Sequence, residues 1–311
     1  MTKVAFLFPG QGSQQVGMGQ ALHARGGPGR AVFDEANEEL GEDLAALCFQ
    51  GPEDALKLTA NTQPAVLTVS VALLRELGEV PDVAAGHSLG EYSAQVAAGT
   101  LSFRDAVRIV RSRGQLMQEA VPAGEGAMAA ILKASRETVE EVCAAVDGVV
   151  EPVNYNSPQQ IVIAGTADAV AAANAALKEK GARAMPLPVS APFHSSLMKP
   201  AEEGLRPILA AAEFKNPAFP VYVNVDATPV SEAAAARDAL ERQVSRPVRW
   251  EESIRRMVAD GVQLFVEIGP GKVLSGLLRR IEKGAKRANL QGPEDLEAVR
   301  AAIAEVRGST A

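Results

Sequence analysis

The feature that most constrains the fold is a serine placed between a short strand and a helix, in residues 82–99 (DVAAGHSLGEYSAQVAAG). An apolar run, 83–85, precedes the serine, and an alanine-rich run of helix-forming residues follows it. Gly86 and Gly90 flank Ser88 in the pattern G-x-S-x-G, where glycines relieve crowding at a sharp turn and leave the hydroxyl exposed. The pattern predicts a strand–turn–helix corner, at which Ser88 is either a nucleophile or an ordinary N-capping residue.

Strand-like and helical runs alternate on both sides of this corner, which is typical of an α/β protein with a largely parallel sheet. Further strands are predicted at KVAFLF (3–8), PVYVNV (220–225) and VQLFVEIG (262–269). Helices are predicted at 63–78, 102–121, 248–261 and 271–284.

The middle of the chain has a different order of elements. Residues 126–189 predict strand, helix, strand, strand, helix and strand, the order of a ferredoxin-like (βαββαβ) unit. The two ends of such a unit lie close together, which suits insertion into another domain. We therefore predict a small ferredoxin-like subdomain at 126–189. The flanking residues 1–125 and 190–284 would form one large domain, and residues 285–311 a polar C-terminal tail with one more helix.

Composition excludes several functional classes. No apolar run is long enough for a signal peptide core or a membrane span. The two cysteines of the 311-residue chain do not have the spacing of a known cysteine motif. A formal charge of -7 argues against a nucleic-acid binder, and the three histidines form no metal-binding motif. We expect a cytoplasmic protein that crosses no membrane, binds no nucleic acid and holds no metal.

A serine nucleophile needs a base that accepts its proton. His87 is adjacent to Ser88, but neighbouring side chains of an extended strand point to opposite faces. His194, in LPVSAPFHSSLM, lies where the small subdomain would rejoin the large domain, and clefts between domains favour ligand sites. His194 is therefore the candidate base, and a purely structural histidine is the alternative.

Arg113 stands out on the predicted helix 102–121. At 100° per residue its neighbours on the helix surface are all apolar: Ala106, Ile109, Val110, Leu116 and Met117. A buried guanidinium keeps its proton and needs an anion or strong acceptors. The partner of Arg113 would be either an internal acid or the carboxylate or phosphate of a substrate.

Two glycine-rich turns resemble phosphate-binding loops but lack the required residues. PGQGSQ has Gln15 where the dinucleotide pattern requires its third glycine, and IGPGKV has Val273 where a P-loop requires Ser or Thr. A turn at the edge of the sheet can still supply a free backbone N–H. Those of Gln11 and Leu89 could form an oxyanion hole beside Ser88.

Seven segments, in order between residues 3 and 280, resemble the malonyl-CoA:acyl carrier protein transacylases of fatty-acid synthesis. They are FPGQGSQ, GHSLGEYSA, RGQLMQEAVPAGEGAMAAI, NYNSPQQIVIAG, PFHSSLM, QVSRPVRWEESI and VEIGPGKVLSGLL. The resemblance implies an α/β-hydrolase-like large domain with an inserted ferredoxin-like subdomain. It also implies ping-pong transfer of a malonyl group from malonyl-CoA to the phosphopantetheine thiol of acyl carrier protein. The family expectation is a monomer without a bound cofactor.

The same resemblance implies roles for individual residues. It implies Ser88 as the nucleophile, His194 as its base and Arg113 as the ligand of the malonyl carboxylate. Gln11 and Leu89 would supply the oxyanion-hole N–H groups, and the main-chain carbonyl of Gln243 would orient the histidine in place of an acid. Phe193 suggests a tight acyl pocket.

Two other functions compete with this prediction. A serine thioesterase or esterase on a related fold would need an acid between Ser88 and His194, and Asp105, Asp147 and Asp168 fall there. A carrier-binding module without catalysis is the other. Carrier proteins are acidic, so docking needs a local basic patch. The candidates are a group at Arg279, Arg280, Lys283, Lys286 and Arg287, and a group at Lys199, Arg246 and Arg249.

Overall fold

Two β-sheets organise the chain in this computed structural model, which describes residues 3–122, 124–189 and 191–308. The described residues form these strands: β1 (Lys3–Phe8), β2 (Val83–Gly86), β3 (Gly126–Leu132), β4 (Val150–Ser157), β5 (Gln160–Thr166), β6 (Arg183–Pro186), β7 (Val221–Tyr222), β8 (Pro229–Val230), β9 (Val262–Ile268) and β10 (Lys286–Leu290).

Helices surround both sheets. The α-helices are α1 (Gln20–Arg25), α2 (Gly27–Leu40), α3 (Leu44–Gln50), α4 (Glu53–Lys57), α5 (Thr59–Leu77), α6 (Gly90–Ala97), α7 (Phe103–Glu119), α8 (Arg136–Ala145), α9 (Ala167–Glu179), α10 (Lys199–Ala211), α11 (Ala233–Arg242), α12 (Trp250–Ala259), α13 (Val273–Ile281) and α14 (Leu296–Gly308). Short 3₁₀ helices lie at Ser196–Met198 and Pro293–Asp295. Across the described ranges, no helix combines the length and apolar character needed to span a bilayer.

The larger sheet has six strands in the order β10-β9-β1-β2-β7-β8. The strands from β10 to β7 run parallel, and β8 is antiparallel to β7. The predicted α/β fold class with a largely parallel sheet is therefore confirmed. Because β1, β2 and β9 are parallel neighbours, the loops that follow them meet at one edge of the sheet, the usual place for a ligand site.

Both faces of the larger sheet are buried. Along β1, Val4, Phe6 and Phe8 belong to the hydrophobic cluster that includes α5 and α7. Ala5 and Leu7, on the other face, belong to the cluster that includes α12 and α13. This alternation follows from the two-residue period of a strand, and burial on both faces explains why KVAFLF is almost entirely apolar. The packed sheet gives the loops at its edge a rigid base.

The smaller sheet is antiparallel, with the order β4-β5-β3-β6. Helices α8 and α9 cover one face. On the other face Met128, Ala130, Val162 and Ala164 contact the chain that leads back to the larger sheet. The strand and helix order within 126–189 agrees with the ferredoxin-like unit. The domain boundaries themselves stay a prediction.

Main-chain hydrogen bonds join the smaller sheet to the segment before α12. The Tyr155 N–H donates to the Val248 carbonyl (2.9 Å), and the Val248 N–H donates to the Val153 carbonyl (2.8 Å). β4 is thereby fixed to the segment before α12, so the apolar face of the smaller sheet is held over the edge of the larger one.

The structure corrects the prediction for the C-terminal tail. We expected a polar segment with one helix after residue 284, but Lys286–Leu290 form β10, the outer strand of the larger sheet, before α14. Lys286 and Arg287 are exposed, as is common in edge strands, and their charges conceal the strand in the sequence. Residues 309–311 of the predicted tail lie outside the described residues.

The strand predicted at 220–225 is shorter than expected. Only Val221–Tyr222 form β7, and the chain then turns, with the Val223 N–H donating to the Thr228 carbonyl (3.0 Å). Ala227 has a positive φ of 51° in this turn. The apolar run continues because Val223 and Val225 pack under α11, which gives burial without strand pairing.

Candidate active site

Ser88 lies at a strained corner between β2 and α6. Its φ is 52°, in the left-handed region that residues with a Cβ rarely adopt. A Cβ on Gly86 would lie 1.9 Å from the Gly90 carbonyl, and one on Gly90 would lie 2.0 Å from the Phe8 carbonyl oxygen. The two glycines are therefore required because the turn is tight and packs directly on β1.

His194 forms a hydrogen-bonded pair with this serine. The Ser88 Oγ lies 2.7 Å from the His194 Nε2, and the His194 Nδ1 lies 2.8 Å from the main-chain carbonyl oxygen of Gln243. Since a carbonyl can only accept, Nδ1 carries the proton and Nε2 is free to accept one from the hydroxyl. The main-chain carbonyl occupies the place of the acid in a Ser-His-Asp triad.

The His194 imidazole is 3% exposed. Burial lowers its pKa from 6.5 to about 3, and the charge of Arg113 adds to the effect. The imidazole is therefore neutral near pH 7, the state in which it can act as a base.

His87, the other histidine near the serine, faces away from it. Its Nε2 lies 2.7 Å from Asn156 Oδ1 on β4, and its ring packs against Trp250 with a centroid distance of 5.5 Å. Burial lowers the pKa of this imidazole as well. His87 therefore packs between the two sheets and has no contact with the reacting hydroxyl.

Arg113 is 1% exposed and lies next to Ser88. Its Nη2 donates to Ser88 Oγ (3.2 Å) and to Gln243 Oε1 (2.8 Å), and its Nη1 donates to Gln63 Oε1 (2.9 Å). Burial lowers the pKa of the guanidinium, which nevertheless stays charged. The salt bridges found among the described residues do not include Arg113, so the alternative of an internal ion pair gains no support.

Gln11 follows β1 and Leu89 follows the nucleophile, and both line the same cavity as Ser88. Within the described ranges neither main-chain N–H has a hydrogen-bond partner. These two N–H groups are the candidates for an oxyanion hole. The side chain of Gln11 is not part of it, because its Nε2 donates to Thr59 Oγ1 (3.2 Å).

Comparison with known proteins identifies the family of the chain. The acyl transferase domain family matches residues 5–302. The malonyl CoA-acyl carrier protein transacylase of Bacillus subtilis is 51% identical over 304 residues, covering 96% of each chain. That of Escherichia coli (strain K12) is 50% identical over 305 residues, covering 96% of this chain and 99% of its own.

The chain belongs to the malonyl CoA-acyl carrier protein transacylase family. An acyl carrier protein S-malonyltransferase from Vibrio cholerae has the same fold, with a TM-score of 0.93 and 50% identity over 96% of this chain and 100% of that one. A malonyl-transacylase in complex with a type II polyketide acyl-carrier protein has a TM-score of 0.93 and 46% identity, over 96% of this chain and 98% of that one.

The active-site cavity of this transacylase has a volume of about 570 Å³ and lies between the two sheets. Ser88, His194 and Arg113 form its polar end. Apolar side chains line part of the remainder: Met117, Met128, Ala130, Val162, Leu187, Val189 and Phe193. Polar residues line the rest, among them Gln11, Gln63, Asn154, Asn156 and Gln160. The cavity therefore offers a buried cation beside the hydroxyl, within a wall of mixed apolar and polar side chains.

The acids required by the hydrolase alternative do not reach the histidine of this transacylase. Ser102 caps α7: its Oγ donates to Asp105 Oδ2 (2.6 Å) and accepts from the Asp105 N–H (3.0 Å). Asp168 lies in the first turn of α9. Asp147 lies in the connection between α8 and β4. The carbonyl of Gln243 holds His194 instead, so none of the three acids completes a triad.

Sequence reasoning missed three polar residues that support the site: Gln63, Glu91 and Asn224. All are at most 1% exposed, and each contacts either Arg113, Gln243 or the main chain of Ser88. Glu91 could have been predicted, because it is a charged residue in a helix of otherwise uncharged residues and follows the serine by three positions. Gln63 and Asn224 carry no such signal. Among the described residues, no cluster of three or more His, Cys, Asp or Glu side chains could hold a metal ion.

Proposed function

We propose that this transacylase moves a malonyl group from malonyl-CoA to the phosphopantetheine thiol of an acyl carrier protein, in fatty-acid or polyketide synthesis. The observation that carries the proposal is the buried Arg113 guanidinium, 3.2 Å from the Ser88 Oγ. A malonyl thioester places a carboxylate two carbons from the carbonyl that the serine attacks, so one short acyl group can reach both residues. We further propose a cytoplasmic monomer without a bound cofactor.

In the first half-reaction the Ser88 Oγ attacks the thioester carbonyl while the His194 Nε2 accepts the hydroxyl proton. The N–H groups of Gln11 and Leu89 stabilise the oxyanion of the tetrahedral intermediate. The carbon–sulfur bond then breaks, His194 returns the proton to the departing sulfur, and coenzyme A leaves as its thiol. The product is a malonyl ester on Ser88.

In the second half-reaction the carrier's phosphopantetheine thiol occupies the position that coenzyme A has left. His194 accepts the thiol proton as the sulfur attacks the ester carbonyl, and it returns that proton to Ser88 Oγ as the ester bond breaks. The hydroxyl is regenerated and the carrier leaves with the malonyl group. One base thus serves both steps, which is the ping-pong course.

We propose that the carrier docks on the basic group at the end of α13. Arg279, Arg280, Lys283 and Arg287 are exposed, and the salt bridges of the described residues include none of them. By contrast Lys199 and Arg249 are paired with Glu202 and Glu252, which reduces their attraction for an acidic partner. α13 also begins at the cavity, where Val273 and Leu277 line its wall. The helix would therefore connect the docking surface to the entrance used by the phosphopantetheine arm.

Mass spectrometry after incubation with malonyl-CoA tests this function. We expect a stable malonyl adduct on Ser88 that disappears when holo carrier protein is added and reappears as malonyl-carrier. Rapid release of free malonate, unaffected by the carrier, would instead support the thioesterase alternative. The absence of an adduct would support the carrier-binding module.

A further inference from the structure

A buried carboxylate lies directly behind the nucleophile. Glu91 belongs to the first turn of α6, three residues after Ser88, and is fully buried. Its Oε2 accepts two hydrogen bonds, from the Asn224 N–H (2.8 Å) and from Gln243 Nε2 (2.9 Å). Burial raises the pKa of this carboxyl group to about 7. A buried carboxyl group is costly unless it is well hydrogen-bonded, yet the proposed reaction does not use this one.

Both partners of Glu91 hold the main chain of the serine. Asn224 Oδ1 accepts a hydrogen bond from the Ser88 N–H (2.7 Å), and Gln243 Nε2 also donates to the Ser88 carbonyl (3.0 Å). The strained φ of Ser88 is thus fixed from both sides of the residue by groups that Glu91 anchors.

Glu91 also determines which end of the Gln243 amide faces the arginine. Nε2 faces three acceptors: Glu91 Oε2 (2.9 Å), the Ser88 carbonyl (3.0 Å) and, at a longer distance, Asn224 Oδ1 (3.3 Å). Oε1 must therefore point the other way. There it accepts a hydrogen bond from Arg113 Nη2 (2.8 Å). Without the carboxylate, the amide could reverse and present an N–H₂ donor to the guanidinium, which would displace the cation.

We propose that Glu91 is a positioning residue for acyl transfer, which acts through Asn224 and Gln243 on Ser88 and through Gln243 on Arg113. The proposal rests on the proposed function of the site. Only Oε2 is bonded, and the other oxygen, Oε1, has no hydrogen-bond partner within the described residues. A glutamine at this position can therefore keep both contacts through its carbonyl oxygen.

Three variants test the proposal: Glu91→Leu, Glu91→Gln and Glu267→Leu. The single-turnover rate of Ser88 acylation is measured with malonyl-CoA and with acetyl-CoA. We expect Glu91→Leu to lower the malonyl rate by about tenfold or more, because two buried donors would lose their acceptor, and to lower the malonyl-to-acetyl ratio as well. Glu91→Gln should restore both to within about threefold of the wild type.

Glu267→Leu is the matched control. Glu267 is 1% exposed and, like Glu91, accepts buried hydrogen bonds: from the N–H groups of Leu274 (2.9 Å) and Ser275 (2.8 Å) and from Asn289 Nδ2 (3.1 Å). None of these donors contacts Ser88. We expect it to lower the melting temperature and leave the malonyl-to-acetyl ratio unchanged.

The outcomes separate the two proposals. If the wild type forms no malonyl adduct, the proposed function fails. If the wild type forms it and folded Glu91→Leu keeps the wild-type rate and ratio, Glu91 has no positioning role. Glu91→Gln with the same defect as Glu91→Leu would also overturn the proposal, because the two hydrogen bonds would then not be what matters.

Discussion

At the scale of single residues, the site places a permanent cation next to a base that must stay neutral. Arg113 donates to Ser88, and its charge adds to burial in lowering the pKa of His194 to about 3. The same charge would attract the carboxylate of a malonyl group. One buried guanidinium therefore helps burial to keep the imidazole unprotonated, and we propose that it also selects the acyl group.

The first prediction concerns acyl selection. In Arg113→Ala we expect malonyl transfer to lose about 2–5 kcal/mol of transition-state stabilisation, because a buried carboxylate would be left without its partner. Acetyl transfer should decrease much less, so the preference shifts toward neutral acyl groups. The measurement is kcat/KM with malonyl-CoA and acetyl-CoA. Arg111→Ala, on the same helix but facing Asn61 and Glu42, should leave the ratio unchanged, and an equal loss for both donors in Arg113→Ala would contradict substrate selection.

The second prediction concerns stability and pH. The unfolded chain protonates His194 below about pH 6.5, whereas the folded chain holds the imidazole neutral down to about pH 3. The unfolded state therefore binds more protons in this window, and the contribution of His194 to stability is lost as the pH falls from 6.5 toward 3. Urea denaturation at pH 7 and pH 5 should reveal a smaller pH effect in His194→Gln than in the wild type. His23→Gln, at a partly exposed histidine, is the control. Equal pH effects in the wild type and in His194→Gln would refute the prediction.

At the scale of elements, the catalytic corner depends on direct contact between α6 and β1. In Gly90→Ala the new Cβ would meet the Phe8 carbonyl oxygen at 2.0 Å, so α6 must move away from the sheet. We expect a loss of about 1–3 kcal/mol in the free energy of unfolding, together with strongly reduced acylation of Ser88. Gly276→Ala in α13 has nothing within 4 Å of the new Cβ and should be neutral or slightly stabilising. Equal stability of the two variants, measured by thermal unfolding, would show that the corner can relax.

Elements with strong apolar patterns could be predicted from the sequence, and elements that depend on tertiary contacts could not. The buried runs of β1, β9 and β3 and the apolar stripe of α7 stand out, so the fold class and the position of Arg113 could be predicted. β10 was not predicted, because an edge strand tolerates charged residues and so lacks an apolar pattern. Asn224 was not predicted, because it lies in a turn without any periodic pattern. It is 136 residues from Ser88, from whose N–H it accepts a hydrogen bond. Polar residues that support a site through distant contacts leave no local signal.

At the scale of the whole molecule, the site lies between the two sheets. The larger sheet supplies Ser88 at its edge, and the smaller sheet supplies apolar walls from β3 and β5. The main-chain bonds between β4 and Val248 hold these two parts together. The helices α8 and α9 cover the opposite face of the smaller sheet, and their surface is therefore remote from the cavity.

That separation allows a charge-matched test of carrier docking. In Arg279→Glu/Arg280→Glu we expect kcat/KM for the carrier to fall about tenfold at low salt, because steering of an acidic partner is lost. Transfer is measured from malonyl-Ser88 enzyme freed of coenzyme A, so that the phosphates of the donor have no influence. Lys178→Glu/Lys180→Glu changes the net charge equally at the end of α9, behind the smaller sheet, and should have little effect. At high salt the difference between the two variants should shrink, because screening removes the attraction in both. Equal losses in the two variants would mean that net charge, and not the surface at the end of α13, governs the encounter.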